Sequence, residues 1–200
     1  MCIRDRHYTD LGVMNKKTNE FFHKKVFSSK GLQGVRGKGA GTSCIFDNKL
    51  FQVFSNGLYF GVTIHDLQSL ELLKQYTALK KDSIAFKDGT LRYSRLMKGF
   101  DPLRRSKSKG ITDGSFFNLL NNGDFPFICV DEKDDKYFLM LGSYGKEEYQ
   151  NLWFNRSRDV RLSNGTVIPG TPFGLKSSAE MTIIFFSTLD KKSLEHAPQK

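Results

Sequence analysis

The sequence predicts an all-β chain of antiparallel sheets, propeller-like in arrangement, with a single β-sandwich as the alternative. Three observations predict it. Short runs rich in Val, Ile and Phe are cut by two-residue polar turns, the pattern of hairpins. Helical periodicity is weak throughout. A strand–turn–strand unit also recurs, and repeated antiparallel sheets that cannot cover their own apolar faces must stack on neighbours.

The elements follow in chain order. The opening "MCIRDR" resembles translated sequencing-adapter sequence, so residues 1–6 are expected to lie outside the protein's own sequence. Residues 7–200 then form one β-rich domain or a propeller fragment. "SSKGLQGVRGKGAGTS" (28–43) and "LMKGFDPLRRSKSKGITDG" (96–114) read as surface loops. "CIFDNKLFQVFSNGLYFGVTIHDL" (44–67) reads as strands joined at Asp-Asn and Asn-Gly turns. "LQSLELLKQY" (67–76), with Asp66 as N-cap, is a weak helix or a loop and strand. "SIAFKDGTLRYS" (83–94) reads as a hairpin about Lys-Asp-Gly, and "GSFFNLLNNG" (114–123) as one helical turn. A hairpin at 125–141, a strand with Asn-Gly turn at 151–170 and a strand at 181–192 complete the chain.

The repeat is carried by "DNKLFQVF" (47–54) and "DDKYFLML" (134–141), offset by 87 residues. "GVTIHDLQSLEL" (61–72) is matched with "NLWFNRSRDVRL" (151–162), and "LGVMNKKTNEFF" (11–22) reads as a further copy of that outer strand.

Composition narrows the chemistry. Three cysteines without C-x-x-C spacing and four scattered histidines support neither a disulfide framework nor a zinc site, so no cofactor is expected. Cys44 and Cys129 sit in apolar runs, as packing thiols do. The net charge of +10 favours anionic partners. Lys98, Arg104, Arg105, Lys107 and Lys109 form a basic loop suited to a polyanion such as nucleic acid, through phosphates rather than bases. Apolar runs of about six residues fall far short of the roughly 20 a spanning helix needs, so no membrane insertion is expected. "MCIRDRHYTD" has no apolar signal-peptide core, and the compartment is left open.

Two motifs fail. Around Lys38 a phosphate loop would need Gly at position 32 and Ser or Thr at 39, where Leu32 and Gly39 stand. Asp131 and Lys133 in "VDEK" have the form of a nuclease strand end, but a charged hairpin turn explains them.

The stretches "GAGTSCIFDNKLFQVFSNG…FGVTIHDLQSLELL" and "GDFPFICVDEKDDKYFLMLGSYGKEEYQNLWFNRSRD" resemble blades of the five-bladed propeller glycosidases of families 43, 32 and 130. The resemblance implies several blades of such a propeller, a glycan or oligosaccharide partner, and glycoside hydrolysis or glycan binding through carboxylates at the starts of blade strands. Leaving-group protonation and attack occur on opposite sides of the sugar, so at least two acids are needed. Asp124 falls at the place of the pKa-tuning aspartate, although the following proline is displaced by one residue. Asp113 and Glu180 stand at other strand starts. The alternatives are a non-catalytic propeller scaffold and a basic β-domain that binds nucleic acid. The single tryptophan, Trp153, reads as core rather than sugar platform.

Overall fold

A computed structural model describes residues 8–14, 21–27, 39–98, 107–120, 125–151, 160–161, 167–168 and 175–198. The chain is all-β, with one short helix among the described residues. β1 (Tyr8–Met14) and β2 (Phe21–Phe27) pair as an antiparallel hairpin. β3 (Ala40–Phe46), β4 (Lys49–Asn56), β5 (Tyr59–Asp66) and β6 (Leu72–Leu79) form a four-stranded antiparallel meander. β7 (Asp88–Lys98) and β8 (Lys107–Ile111) then join a second sheet, followed by α1 (Asp113–Leu120), β9 (Phe125–Lys133) and β10 (Lys136–Asn151). β11 (Val160–Arg161) and β12 (Val167–Ile168) make a small hairpin, and β13 (Leu175–Asp190) completes the second sheet in the order β8-β7-β13-β10-β9.

The repeat holds at its first half. Asp47-Asn48 and Asp134-Asp135 are two-residue turns with every φ between 45° and 56°. Both central residues left-handed is the type I′ hairpin geometry, which short polar side chains tolerate best. Pairing resumes at equivalent positions, Phe46 with Lys49 and Lys133 with Lys136.

The second half of the repeat is corrected. The counterpart of β5 is the end of β13, not residues 151–162. "DLQSLE" (66–71) and "DKKSLE" (190–195) fold into the same turn. Asp66 Oδ1 accepts from the amides of Gln68 (2.9 Å) and Ser69 (2.8 Å). Asp190 Oδ1 accepts from those of Lys192 (3.0 Å) and Ser193 (2.8 Å). Leu70 and Leu194 both take positive φ, 61° and 56°. Leu67 N donates to Asn48 O and Lys191 N to Asp135 O, each at 3.0 Å, which ties each turn to its hairpin. Asp66 therefore caps a turn that leads into β6, and no helix forms over 67–76.

Other expectations change as well. Residues 83–94 do not form a hairpin. Ile84 (2% exposed) and Phe86 (3%) enter the core from a turn segment, and β7 pairs with β8 and β13 instead. Residues 96–114 are not one loop, because β7 runs to Lys98 and β8 starts at Lys107. The stretch 11–22 is not one outer strand, since β1 ends and β2 begins inside it.

The core lies between the two sheets. Phe51, Val53, Phe60, Val62 and Ile64 of the first sheet face Tyr137, Leu139, Leu141, Ile183 and Phe185 of the second. On the β3 side the sheets meet closely, and β9 packs on β3 and β4. Toward β6 and β7 they part. There α1 and the 84–86 turn fill the gap, with Phe116 centred 5.2 Å from Phe60 and 5.9 Å from Phe185. The first sheet's other face is covered by β1–β2 through a cluster of Leu11, Val26 and Leu50. The sheets do not close on themselves among the described residues.

Candidate functional site

Asp113 opens α1, where a carboxylate complements the helix dipole. Both of its oxygens are engaged: Lys87 Nζ donates to each, at 2.6 Å to Oδ2, and Ile84 N donates to Oδ2 at 3.0 Å. The residue thus fastens the 84–87 turn to the helix. An open cleft of about 520 Å³ beside it is lined by Lys80, Lys81, Lys87, Thr90 and Gly114 among others.

Glu180 is half-buried on β13, in register with Leu96 and Lys146. Asp113 lies two residues past Ile111, whose register partner is Leu91. The β7 partners of Ile111 and Glu180 are therefore five residues apart, roughly 17 Å at strand rise, and Asp113 lies beyond Ile111. The structure does not bring them together. Asp124 lies outside the described residues, as do Trp153, Arg104, Arg105 and the side chains of Lys98 and Lys107. Lys109, the described member of the basic loop, sits 5.7 Å from the Tyr93 ring centre.

A polar cluster among the described residues joins the two sheets at the hairpin turns. The Tyr137 hydroxyl donates to Asp47 Oδ2 and accepts from Lys49 Nζ at 3.0 Å. Lys191 Nζ lies 3.2 Å from Asp47 Oδ2 and 2.6 Å from Glu132 Oε1. Burial, then the bond to Asp47, pushes the Tyr137 phenol far above its ordinary value. The Tyr137 hydroxyl and Lys191 hold the Asp47 carboxyl below the usual carboxylate range. A second cluster ties the C-terminal turn to β7: His196 Nε2 lies 2.8 Å from Asp88 Oδ1, and Thr188 Oγ1 donates to Asp88 Oδ2 at 2.6 Å. Sequence reasoning missed both clusters, although the repeated D-x-x-S-L-E and the paired turn aspartates were visible signals.

Each of these polar clusters bridges elements of the fold. Among the described residues no group of His, Cys, Asp and Glu is placed to hold a metal ion. Among the described residues no helix is long and apolar enough to cross a membrane. The class these observations define is an all-β protein of stacked antiparallel sheets. Comparison with protein-family models, curated proteins and solved structures finds no match to this chain.

Proposed function

We propose that this chain is part of a β-propeller and works as a non-catalytic interaction scaffold. The observation that carries the reading is the sense of stacking. Leu50, Gln52 and Phe54 correspond by the 87-residue repeat to Tyr137, Leu139 and Leu141. The first set faces β1–β2 and the second faces the first sheet. Hairpin, first sheet and second sheet therefore follow one another in the same orientation, as blades do around an axis. The close approach at β3 and β9 and the wedge of α1 and Phe86 on the opposite side agree with radial blades.

A scaffold is favoured over glycoside hydrolysis because Asp113 is spent on Lys87 and Ile84, and Glu180 is remote from it. The experiment is an assay of the purified chain on a panel of nitrophenyl glycosides, with folding checked by circular dichroism. No turnover is expected. Turnover that disappears in a folded Glu180→Gln variant overturns the scaffold and restores the hydrolase.

A further inference from the structure

β4 and β5 are buried at nearly every residue, as strands covered on both faces must be. β13 instead alternates from Met181 to Phe186 between buried and partly exposed residues, so the second sheet is covered on one face. The uncovered face carries an apolar cluster, flanked by Asp131, Thr182 and Arg92. Phe125 (68% exposed), Tyr144 (40%) and Phe186 (48%) stand on it with Phe138, Met140 and Ile184. A contiguous apolar cluster of this kind marks an interaction surface.

The repeat says what covers it. Phe51 and Val53 correspond to Phe138 and Met140 at an offset of 87. Phe60 and Val62 correspond to Ile184 and Phe186 at the 124-residue offset of the D-x-x-S-L-E turns. In the first sheet these positions pack against the second sheet. The open face is therefore the one that, one unit earlier, receives the next sheet. The turns repeat the point. Asp47 receives the hydroxyl of Tyr137 from the next sheet, whereas Asp134, its counterpart, is exposed and has no side-chain partner among the described residues. The exposed side of β1–β2 does not suit this face, because it presents Asp10, His23 and Lys25.

We infer that the open face of the second sheet is the docking face for a further sheet of the same repeat, carried by the same polypeptide. That sheet presents an alternating face of the Leu50/Gln52/Phe54 kind and sets a hydroxyl or ammonium group against Asp134. The inference rests on the propeller reading for its sense of stacking.

Cys129 provides the readout, since it is exposed and in register with Met140 on this face. Cys44 is the internal control, because burial and then the neighbouring Cys129 thiol push it up to about 11. The experiment alkylates this 200-residue chain and the product of the natural gene with iodoacetamide, and peptide mass spectrometry reads each cysteine separately. Cys129 is expected to react at least about tenfold more slowly in the gene product, as an amino acid covered by a packed sheet does. Equal rates, or a gene product with no added sheet, overturn the inference. So does protection in the 200-residue chain that grows with its concentration, which identifies a second copy as the cover. Small-angle scattering of the gene product separates the two readings. A ring with reactive Cys129 removes this inference and keeps the propeller. Protected Cys129 in a particle that is not a ring keeps the covering sheet and removes the propeller.

Discussion

The hydroxyl of Tyr137 on β10 donates to the carboxylate of Asp47 in the β3–β4 turn, joining the two sheets where their hairpins meet. The ring beneath is fully buried and meets Phe51 edge-on at 5.6 Å. Ring and hydroxyl therefore separate by substitution. Tyr137→Phe keeps the packing and removes the polar clasp, for a loss of about 1 kcal/mol. Tyr137→Ala also opens a cavity and costs about 3–5 kcal/mol. Urea unfolding of both variants measures the difference. Equal losses would show that the hydroxyl carries the whole effect.

Gly142 sits where β10 passes under Phe127 and beside β13. An added Cβ would lie 1.9 Å from Ile183 O and 2.8 Å from the tip of the Phe127 ring. The backbone oxygen cannot swing aside as a side chain can. Gly142→Ala is expected to strain the β10–β13 ladder and cost about 1–3 kcal/mol, as overpacking does. Gly114→Ala, with open space around its Cβ position, is the control. Thermal melts of the two are expected to differ clearly, Gly142→Ala melting lower.

The legible and illegible parts of this fold divide by sequence distance. The β9–β10 hairpin could be read because its turn chemistry and apolar runs are local. The partner of β5 could not be read by a constant offset, because residues 152–174 separate β10 from β13, whereas Gly57 and Leu58 alone separate β4 from β5. The motif "DKKSLE" kept the signal that the offset lost. Asp113 reads from the sequence as a carboxylate at the start of a strand, whereas it opens the helix α1. Its partner Lys87 was not legible, since nothing local links residues 26 apart. Ile84 and Phe86 looked like a strand because their spacing is 2, but both reach the core from a turn.

Gln52 is buried at 2% exposure and joins three elements. Its Nε2 donates to Thr9 Oγ1 and to Val26 O at 3.3 Å, and its Oε1 accepts from Thr63 at 3.1 Å. Gln52→Ala leaves the Thr9 and Thr63 hydroxyls without these bonds, a loss of about 1–3 kcal/mol. The β1–β2 hairpin, which these bonds tie to β4, is expected to loosen first. Hydrogen exchange should then speed up in residues 8–14 and 21–27 while β10 and β13 stay protected. Uniform acceleration throughout would show that the hairpin and sheets unfold together.

The titrating groups predict a stability plateau near neutral pH with a fall on each side. Burial holds the His65 imidazole below its ordinary value. Its contribution is complete above about pH 6.5 and is lost as the unfolded chain takes up a proton below that. Asp66 and Asp190 are held below the usual range by turn hydrogen bonds, led by the Ser69 and Ser193 amides, and Asp47 by Tyr137 and Lys191. Their contributions are complete above about pH 4 and disappear as pH falls through the folded values. On the alkaline side the signs reverse. Cys44 is pushed up to about 11 and Tyr76 to about 12, each chiefly by burial, and Tyr137 is also raised. The unfolded thiol ionises from about pH 8.5 and the phenols from about 10, so folded stability drains away as pH rises through those values. Urea midpoints measured from pH 3 to 11 are expected to be flat between about 7 and 8.5. They should fall first through His65 on the acid side and first through Cys44 on the alkaline side. Cys44→Ala should delay the alkaline fall to about pH 10, where the tyrosines take over. An unchanged alkaline limb in that variant would show that the thiol is not buried as described.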